Sequence, residues 1–433
     1  MNRREYSCGS SSHWSRRTFL QATGLGGMAW LSPLAQVLAE QQETTSKQVP
    51  AQSVILLWLG GGPSQLETFD PHPDTKIAGG TTAVETRLPG VQFAAGLPQL
   101  ADVADDLVIV RNVVSREGDH ERAAYNVKTG YRPDTTLVHP ALGAVICHQL
   151  PRGKTDIPRH VSLLPDQWYG RGGYLGPQYD AFRTYDTTGQ LPDVHANVDP
   201  KRLTRRLDDL SVVEQAFAKG RINELELHRT QHRAQIDDAL RIMESEQLQA
   251  FDVRDEPARL QRQFGNTEFG RACLVALRLI QVGVRCVEVT LSGWDSHVNN
   301  HEIHANLNSQ LDPAMSALIG ELKQRDLFDS TVVVCAGEFG RTPEITPGAE
   351  GRGHWPHGFS MAMAGGKLRR GTVLGETSPD GTPIAFEQGT PIADIHATVL
   401  QALGIDPATE LITPVGRPLK LSEGKPIREL LTG

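Results

Sequence analysis

Short continuous apolar runs alternate along this chain with stretches in which apolar residues recur at helical spacing. Because strands buried on both faces read as unbroken apolar runs, this alternation predicts an α/β fold with a mainly parallel sheet and helices on both faces. The predicted strands span residues 53–59, 107–114, 160–164, 286–291, 331–335 and 359–364. Helices are predicted over residues 140–150, 269–284, 307–327 and 392–403.

Between residues 199 and about 262 charged residues dominate, and the apolar ones stand at helical spacing. We predict a helical insertion that lies against the core, with an ordinary set of surface helices as the alternative. Residues 53–433 are otherwise expected to form a single domain, with a polar linker over residues 40–52.

The N-terminal segment S-R-R-T-F-L, residues 15–20, resembles a twin-arginine export signal. The weakly apolar stretch after it, residues 22–38, falls short of the ~20 apolar residues of a membrane span. We expect cleavage near Ala39, export by the twin-arginine machinery to the periplasm or the medium, and no stable membrane span after cleavage. A retained signal anchor and an ordinary amphipathic helix are the alternatives.

The net charge and the cysteine spacing of the chain argue against two classes of function, namely nucleic-acid binding and C-x-x-C chemistry. The formal charge is −8, and removal of residues 1–39 takes away four arginines and one glutamate, which makes it −11. No block of lysine and arginine interrupts this acidity, so binding to nucleic acid is not expected. The four remaining cysteines form no C-x-x-C pair, and most lie in apolar runs typical of core positions.

Acidic and histidine residues stand shortly after several predicted strands. In an open α/β sheet, ligands gather outside the carboxyl ends of the strands. Carboxylates and imidazoles that meet there are suited to a hard or borderline divalent ion, with Zn, Ca, Mg and Mn as candidates. The candidate metal ligands are Glu67, Asp70, Asp295, His297, Glu338, His354 and His357.

The turn after the first strand begins with three glycines, which permit positive φ and close backbone approach. In this turn Ser64 is a candidate nucleophile or substrate donor, or a hydroxyl that caps local amides. It lacks the G-x-S-x-G elbow of α/β-hydrolases. Glu67 and Asp70 are either metal ligands or catalytic acids, or carboxylates of the turn.

A helix is predicted to begin near His120, where its first amides would face an anion. Asp119 and His120 are therefore candidates for a ligand, a base or a nucleophile, and a capped, solvated helix end is the alternative. Asp295 and His297 share one face of an extended segment because side chains at i and i+2 do so, and both can reach one ion.

Two further segments carry candidate chemistry. Glu338 would be a ligand, and Arg341 could hold an oxyanion with its planar fork, unless the two form a structural pair. His354 and His357 lie in a glycine-rich loop that could turn one or both inward; core or edge positions are the alternative.

Five segments together resemble the secreted family of unknown function DUF1501: GGGPSQLETFDP (60–71), HERAAYNVKTGYRP (120–133), GWDSH (293–297), GEFGRTP (337–343) and HWPH (354–357). That family is similar to the alkaline phosphatase and sulfatase superfamily. The resemblance implies a doubly wound, alkaline phosphatase-like sheet, divalent metal ions and hydrolysis of phosphate or sulfate esters.

The resemblance also exposes departures from the superfamily pattern. Sulfatases carry a nucleophile ten residues ahead of the glycine that corresponds to Gly130, and His120 stands at that position here. Where paired aspartates follow the first strand of the superfamily, this chain has glycines, with Glu67 and Asp70 as substitutes. Asp295 and His297 resemble its Asp/His metal pair. Two more positions correspond: Glu338-Phe339 replaces an Asp-His pair, and His354 or His357 resembles the last metal histidine.

We therefore expect an exported metal-dependent hydrolase of phosphate or sulfate esters, acting on a small molecule or a polysaccharide. His120 or Asp119 would act as base, and Arg341 would stabilise developing negative charge. Direct attack by water is favoured unless Ser64 is the nucleophile. The alternative is a noncatalytic exported binding or scaffold protein that retains the fold.

Overall fold

The structure is a computed structural model that describes residues 51–153, 155–187, 191, 194, 198–218 and 236–432. The predicted export signal and nearly all of the predicted linker lie outside the described residues. So does part of the predicted insertion, which therefore stays a prediction; its described parts include a helix over Pro200–Ala218 and helical residues 236–244.

The strands follow the sequence prediction closely and add several short ones. In chain order they are β1 (Ser53–Gly60), β2 (Ala83–Glu85), β3 (Gln92–Ala94), β4 (Leu107–Val114), β5 (His160–Leu163), β6 (Phe182–Thr184), β7 (Cys286–Ser292), β8 (Thr331–Ala336), β9 (Gly340–Arg341), β10 (His354–Trp355), β11 (Phe359–Gly365), β12 (Thr372–Leu374), β13 (Thr390–Pro391), β14 (Glu410–Ile412) and β15 (Pro418–Lys420).

The helices bounded within the described residues also match most predicted positions. They are α1 (Pro98–Ala101), α2 (His120–Thr129), α3 (Leu142–Gln149), α4 (Pro200–Ala218), α5 (Ala258–Gln263), α6 (Glu268–Gln281), α7 (Asn300–Gln324) and α8 (Ile392–Ala402). Helix α7 begins at Asn300 rather than at residue 307, and it contains Pro313. None of the described helices combines the length and the apolar character that a membrane crossing needs.

Within the described residues, nine strands form the central sheet in the order β12-β4-β11-β8-β1-β7-β5-β6, with β13 also paired to β4. The pairs β1–β7, β1–β8, β5–β7, β5–β6, β12–β4 and β13–β4 are parallel. Strand β11 runs antiparallel to both of its neighbours, β4 and β8. The predicted α/β class with a mainly parallel sheet is confirmed, and the reversed strand is an addition that the apolar pattern could not reveal.

The two faces of the sheet carry separate cores. On β1, Ile55 and Leu57 point into one core, which is shared with α6 and α7. Val54 and Trp58 point into the other core, shared with α2, α3 and α8. This alternation follows from the two-residue period of a strand, so the helices cover both faces as the sequence predicted.

The topology brings several loops to one edge of the sheet. Strands β1, β7 and β8 are parallel, so their carboxyl ends lie at the same edge. Strand β4 has the same direction because β11 is antiparallel to both β4 and β8. For the same reason β11 starts at this edge, and β10 lies immediately before it in the chain. The segments that follow β1, β4, β7 and β8 therefore meet the segment that precedes β11.

Candidate metal centre

Three side chains converge at this edge from segments far apart in the chain. His120 is the first residue of α2, Asp295 follows β7, and His354 lies in β10. One potential ligand atom from each lies within 4.8 Å of the others, and no further group of this kind is found in the described ranges. His120 Nε2 lies 3.4 Å from Asp295 Oδ2, and His354 Nε2 lies 3.5 Å from Asp295 Oδ1.

The partners of the two Nδ1 atoms orient both imidazoles. His354 Nδ1 lies 2.8 Å from the main-chain oxygen of Gly118, and His120 Nδ1 lies 2.8 Å from Glu338 Oε1. A carbonyl or carboxylate oxygen can only accept, so each Nδ1 carries the proton. In the neutral rings, each Nε2 is then left with a lone pair on the side of Asp295. Metal-binding histidines are oriented in this way by carbonyl and carboxylate groups.

Glu338 is completely buried behind His120. Its Oε1 also accepts from the amide of Gly61 at 2.9 Å, while its Oε2 is buried with no hydrogen-bond partner within the described residues. A buried carboxylate oxygen without a partner is costly unless a cation or water satisfies it. Two imidazoles and a carboxylate with such support are a donor set that fits a divalent ion.

His297 adds a third imidazole at the solvent side of this group. Its Nε2 lies 3.1 Å from Asp295 Oδ1 and 2.9 Å from His354 Nε2. Its side chain is 52% exposed, against 24% for those of His120 and His354. His297 is thus available both to an ion and to a molecule that arrives from solvent.

Arg341 is fully buried, and four of its five N–H donors are engaged. Its Nε donates to Gly62 O at 2.9 Å, and its Nη2 donates to Gly61 O and, at 2.6 Å, to Asp295 Oδ1. Its Nη1 donates to Arg352 O at 3.2 Å. Burial by itself would raise the pKa of Asp295, but the hydrogen bond and charge of Arg341 outweigh it and lower that pKa. Arg341 thus orients Asp295, and its predicted role as an oxyanion donor stays a prediction.

The surroundings shift the pKa values of the two oriented histidines in opposite directions. The hydrogen bond with Glu338 raises the pKa of His120 against the opposing effect of burial. Burial lowers the pKa of His354, so its neutral form is favoured. Phe339 packs against both rings, with its centroid 5.0 Å from that of His120 and 4.3 Å from that of His354.

The glycine after β1 is required by this packing. Gly61 has φ of +117°, and a Cβ there would collide with the main chain of Trp294 and Asp295. The absence of a side chain lets its amide reach Glu338 and its carbonyl reach Arg341. The glycine run that the sequence analysis linked to close backbone approach therefore sets the distance between the β1 and β7 loops.

A family model described as "Protein of unknown function (DUF1501)" matches residues 51–431. The chain belongs to the DUF1501 family.

No curated protein has a sequence that matches this DUF1501 chain. Several solved structures resemble it at low identity. The lipoteichoic acid synthase LtaP from Listeria monocytogenes is 11% identical, with a TM-score of 0.38 over 83% of this chain and 73% of that one. The PsFucS1 sulfatase from Pseudoalteromonas sp. is 12% identical, with a TM-score of 0.39 over 88% and 72%. The phosphonate monoester hydrolase SpPMH from Silicibacter pomeroyi is 12% identical, with a TM-score of 0.37 over 88% and 77%.

Glu67 and Ser64 of the DUF1501 chain belong to a separate buried group. Glu67 Oε1 accepts from Arg352 Nη2 and from Thr81 Oγ1, both at 2.9 Å. Burial by itself would raise the pKa of Glu67, but Arg352 and further hydrogen bonds lower it to about 2. The Ser64 hydroxyl is fully buried and accepts from the amide of Leu66. The structure thus pairs Glu67 with an arginine and buries the Ser64 hydroxyl, and the roles predicted for both residues stay predictions.

His304 completes this buried group. Helix α7 starts before the predicted residue 307, and this earlier start turns His304 toward the β1 loop. Its Nε2 accepts from the amide of Ser64 at 2.9 Å, and its Nδ1 donates to Asn300 O at 2.8 Å. Burial lowers the pKa of His304 to about 4, so the ring is neutral.

The other predicted site residues also lie outside the cluster. Asp70 accepts from the amide and the hydroxyl of Thr377 at 2.8 and 2.7 Å, and it pairs with Arg111 Nη1 at 3.3 Å. Asp119 caps α2 by accepting from the amide of Arg122, which is the alternative that the sequence analysis left open. His357 is exposed, and its ring contacts Trp355.

One aromatic neighbour of the cluster, Trp168, was not among the predicted site residues. Trp168 stacks on His120 with a centroid distance of 6.0 Å and an interplanar angle of 10°. It lies in the segment after β5, another parallel strand whose carboxyl end is at the same edge. The position after a predicted strand was the signal that could have identified it.

Proposed function

We propose that this DUF1501 protein is an exported metal-dependent hydrolase of phosphate or sulfate esters. The observation that carries the proposal is the convergence of two oriented imidazole Nε2 atoms on Asp295, with His297 beside them at the opening to solvent. A site that merely stabilises the fold does not need a half-exposed carboxylate and a half-exposed histidine at its mouth.

A divalent ion held by His120, Asp295 and His354 would polarise an ester oxygen and lower the pKa of bound water. Glu338 and the carbonyl of Gly118 orient the two imidazoles. Arg341 holds Asp295 and keeps it ionised.

His297 is the side chain best placed to take a proton from an attacking water. Its ring stands at the mouth of the cluster and is half-exposed, so water can reach it. Because Ser64 is buried and a histidine occupies the position of the sulfatase nucleophile, direct attack by water is proposed instead of a covalent intermediate.

Metal analysis of the purified protein tests the site. We expect a divalent ion in stoichiometric amount in the parent protein, and its loss in His354→Ala and in Asp295→Ala. His357→Ala is the matched control because it removes an exposed imidazole from the same loop. Equal metal content in all four proteins would contradict the proposed ligand set.

Hydrolysis assays separate an enzyme from the scaffold alternative. Aryl phosphate and aryl sulfate esters are offered with and without a chelator, and we expect turnover of one class that is lost with the chelator and restored by metal. His297→Ala should retain metal and lose about 100-fold or more in kcat, the usual effect of a general base. Metal binding without turnover of either ester class would favour the noncatalytic scaffold.

We further propose export through the twin-arginine route to the periplasm or the medium. The support is the S-R-R-T-F-L segment and the apolar stretch behind it. Cell fractionation of a strain that expresses Arg16→Lys together with Arg17→Lys should show the uncleaved protein inside the cell. A mature protein outside the cytoplasm in equal amount would contradict this route.

A further inference from the structure

A cavity of about 460 Å³ opens beside the metal cluster and is not used by the proposed chemistry. It lies between α2 and the segment after β5, and Trp168 belongs to its wall. This volume is within the ordinary range of small-molecule sites. The wall includes Glu121, Tyr125, Gln167, Trp168, Tyr169 and Arg171.

Trp168 is fixed in place by its surroundings. Its amide donates to Asp166 Oδ1 at 2.8 Å, and the other oxygen of that carboxylate accepts from Trp58 Nε1 at 2.7 Å. Trp58 is fully buried in β1, so the segment is tied to the centre of the sheet. The indole of Trp168 is only partly buried and lines the cavity, which gives a rigid flat surface next to His120.

Tyr169 and three polar side chains complete the wall. Tyr169 lies under two guanidinium groups, with Arg171 Cζ 5.0 Å and Arg183 Cζ 4.4 Å from the centre of its ring. Glu121, Gln167 and Arg171 are exposed, and their side chains form no hydrogen bond within the part of the chain that the structure describes. A carboxylate, an amide and a guanidinium together offer acceptors and donors.

We infer that this cavity binds a sugar ring. The apolar CH face of such a ring packs on a flat aromatic side chain, and its hydroxyls both donate and accept, which matches the mixture of free polar groups at the rim. An aryl group would use the flat face of Trp168 and leave the carboxylate of Glu121 and the amide of Gln167 without partners. The inference rests on the proposed function in one respect, since the sugar would be the alcohol part of the ester.

Isothermal calorimetry on the purified protein tests the inference without any turnover. The probes are neutral hexasaccharides of glucose in α and β linkage, of mannose, of xylose and of galactose, with 4-nitrophenol as an aryl probe. The protein is measured with metal and after chelation. We expect at least one hexasaccharide to bind, and Trp168→Ala to weaken that binding at least about tenfold while Trp168→Phe retains most of it.

Tyr185→Ala is the control, because Tyr185 is an exposed aromatic residue outside the cavity wall. The Tyr185→Ala variant should bind the same sugar with the same affinity as the parent protein. Binding of none of the hexasaccharides, equal binding by Trp168→Ala with an unchanged melting temperature, or binding of 4-nitrophenol alone would overturn the inference. Sugar binding by a protein that neither retains metal nor hydrolyses esters would refute the proposed function and leave the sugar site standing.

Discussion

Replacement of Arg352 by methionine should destabilise the fold strongly, because it leaves Glu67 charged and buried without its partner. The Arg352 side chain is completely buried, that of Glu67 is 5% exposed, and the two are 2.9 Å apart. Removal of one partner of a buried pair costs about 3–5 kcal/mol. The pKa of Glu67, about 2 against 4.5, corresponds to a similar ~3 kcal/mol.

The assay is urea unfolding of the parent, Arg352→Met, Glu67→Gln and the double variant at pH 7. We expect Arg352→Met to lose about 3–5 kcal/mol and Glu67→Gln to lose less, because Arg352 keeps several main-chain acceptors, among them Ile77 O and Thr342 O. In the double variant the loss should fall below the sum of the two single losses by about 2 kcal/mol.

The pH dependence has a defined sign. In the parent, the lowered pKa of Glu67 gives stability that is complete above pH 4.5 and is lost as the pH falls from 4.5 toward 2. In Arg352→Met, burial raises the pKa of Glu67 instead, so protonation stabilises the variant and the gap to the parent narrows on acidification. Additive losses, or a gap that is constant between pH 7 and pH 4, would refute this account of the pair.

Three other predictions follow from the same structure. Glu338→Ala removes the acceptor that orients His120, so metal affinity measured by chelator competition should fall about 10–100-fold. The metal affinity of Glu338→Gln should lie between that of Glu338→Ala and that of the parent. Unchanged affinity would count against the orienting role. His396 is buried with a pKa of about 4 and donates to Val127 O, so its neutral form contributes stability above pH 6.5 that is lost as the pH falls from 6.5 toward 4. His396→Gln should remove about 3 kcal/mol of that pH dependence in urea unfolding, and an identical pH profile would disprove the assignment. Gly61→Ala forces a Cβ against the main chain of Asp295 and should lower both the melting temperature and the metal content, whereas a normal melting temperature would show that the β1 loop can relax.

The strands and the edge where ligands gather could be predicted from the sequence, because continuous apolar runs and strand-end placement are local patterns. The predicted run at residues 107–114 is β4, and the run at 286–291 lies within β7. The direction of β11 could not be predicted in this way. Its residues are apolar on both faces, and that pattern is the same for either direction.

The candidate site was predicted in part. Asp295, His120 and His354 do meet, since each lies in a segment that reaches the shared edge of the sheet. Glu67 stands in such a loop as well, yet Arg352, which is distant in the chain, satisfies its charge. Local sequence shows that a carboxylate is near the edge, but not whether a cation or a buried guanidinium will be its partner.

Crystals of the protein loaded with zinc and measured at the zinc absorption edge show whether His120, Asp295 and His354 hold one ion together. We predict an anomalous peak about 2.0–2.2 Å from His120 Nε2, from His354 Nε2 and from a carboxylate oxygen of Asp295. A fully loaded crystal in which the peak contacts none of these three side chains would contradict the account.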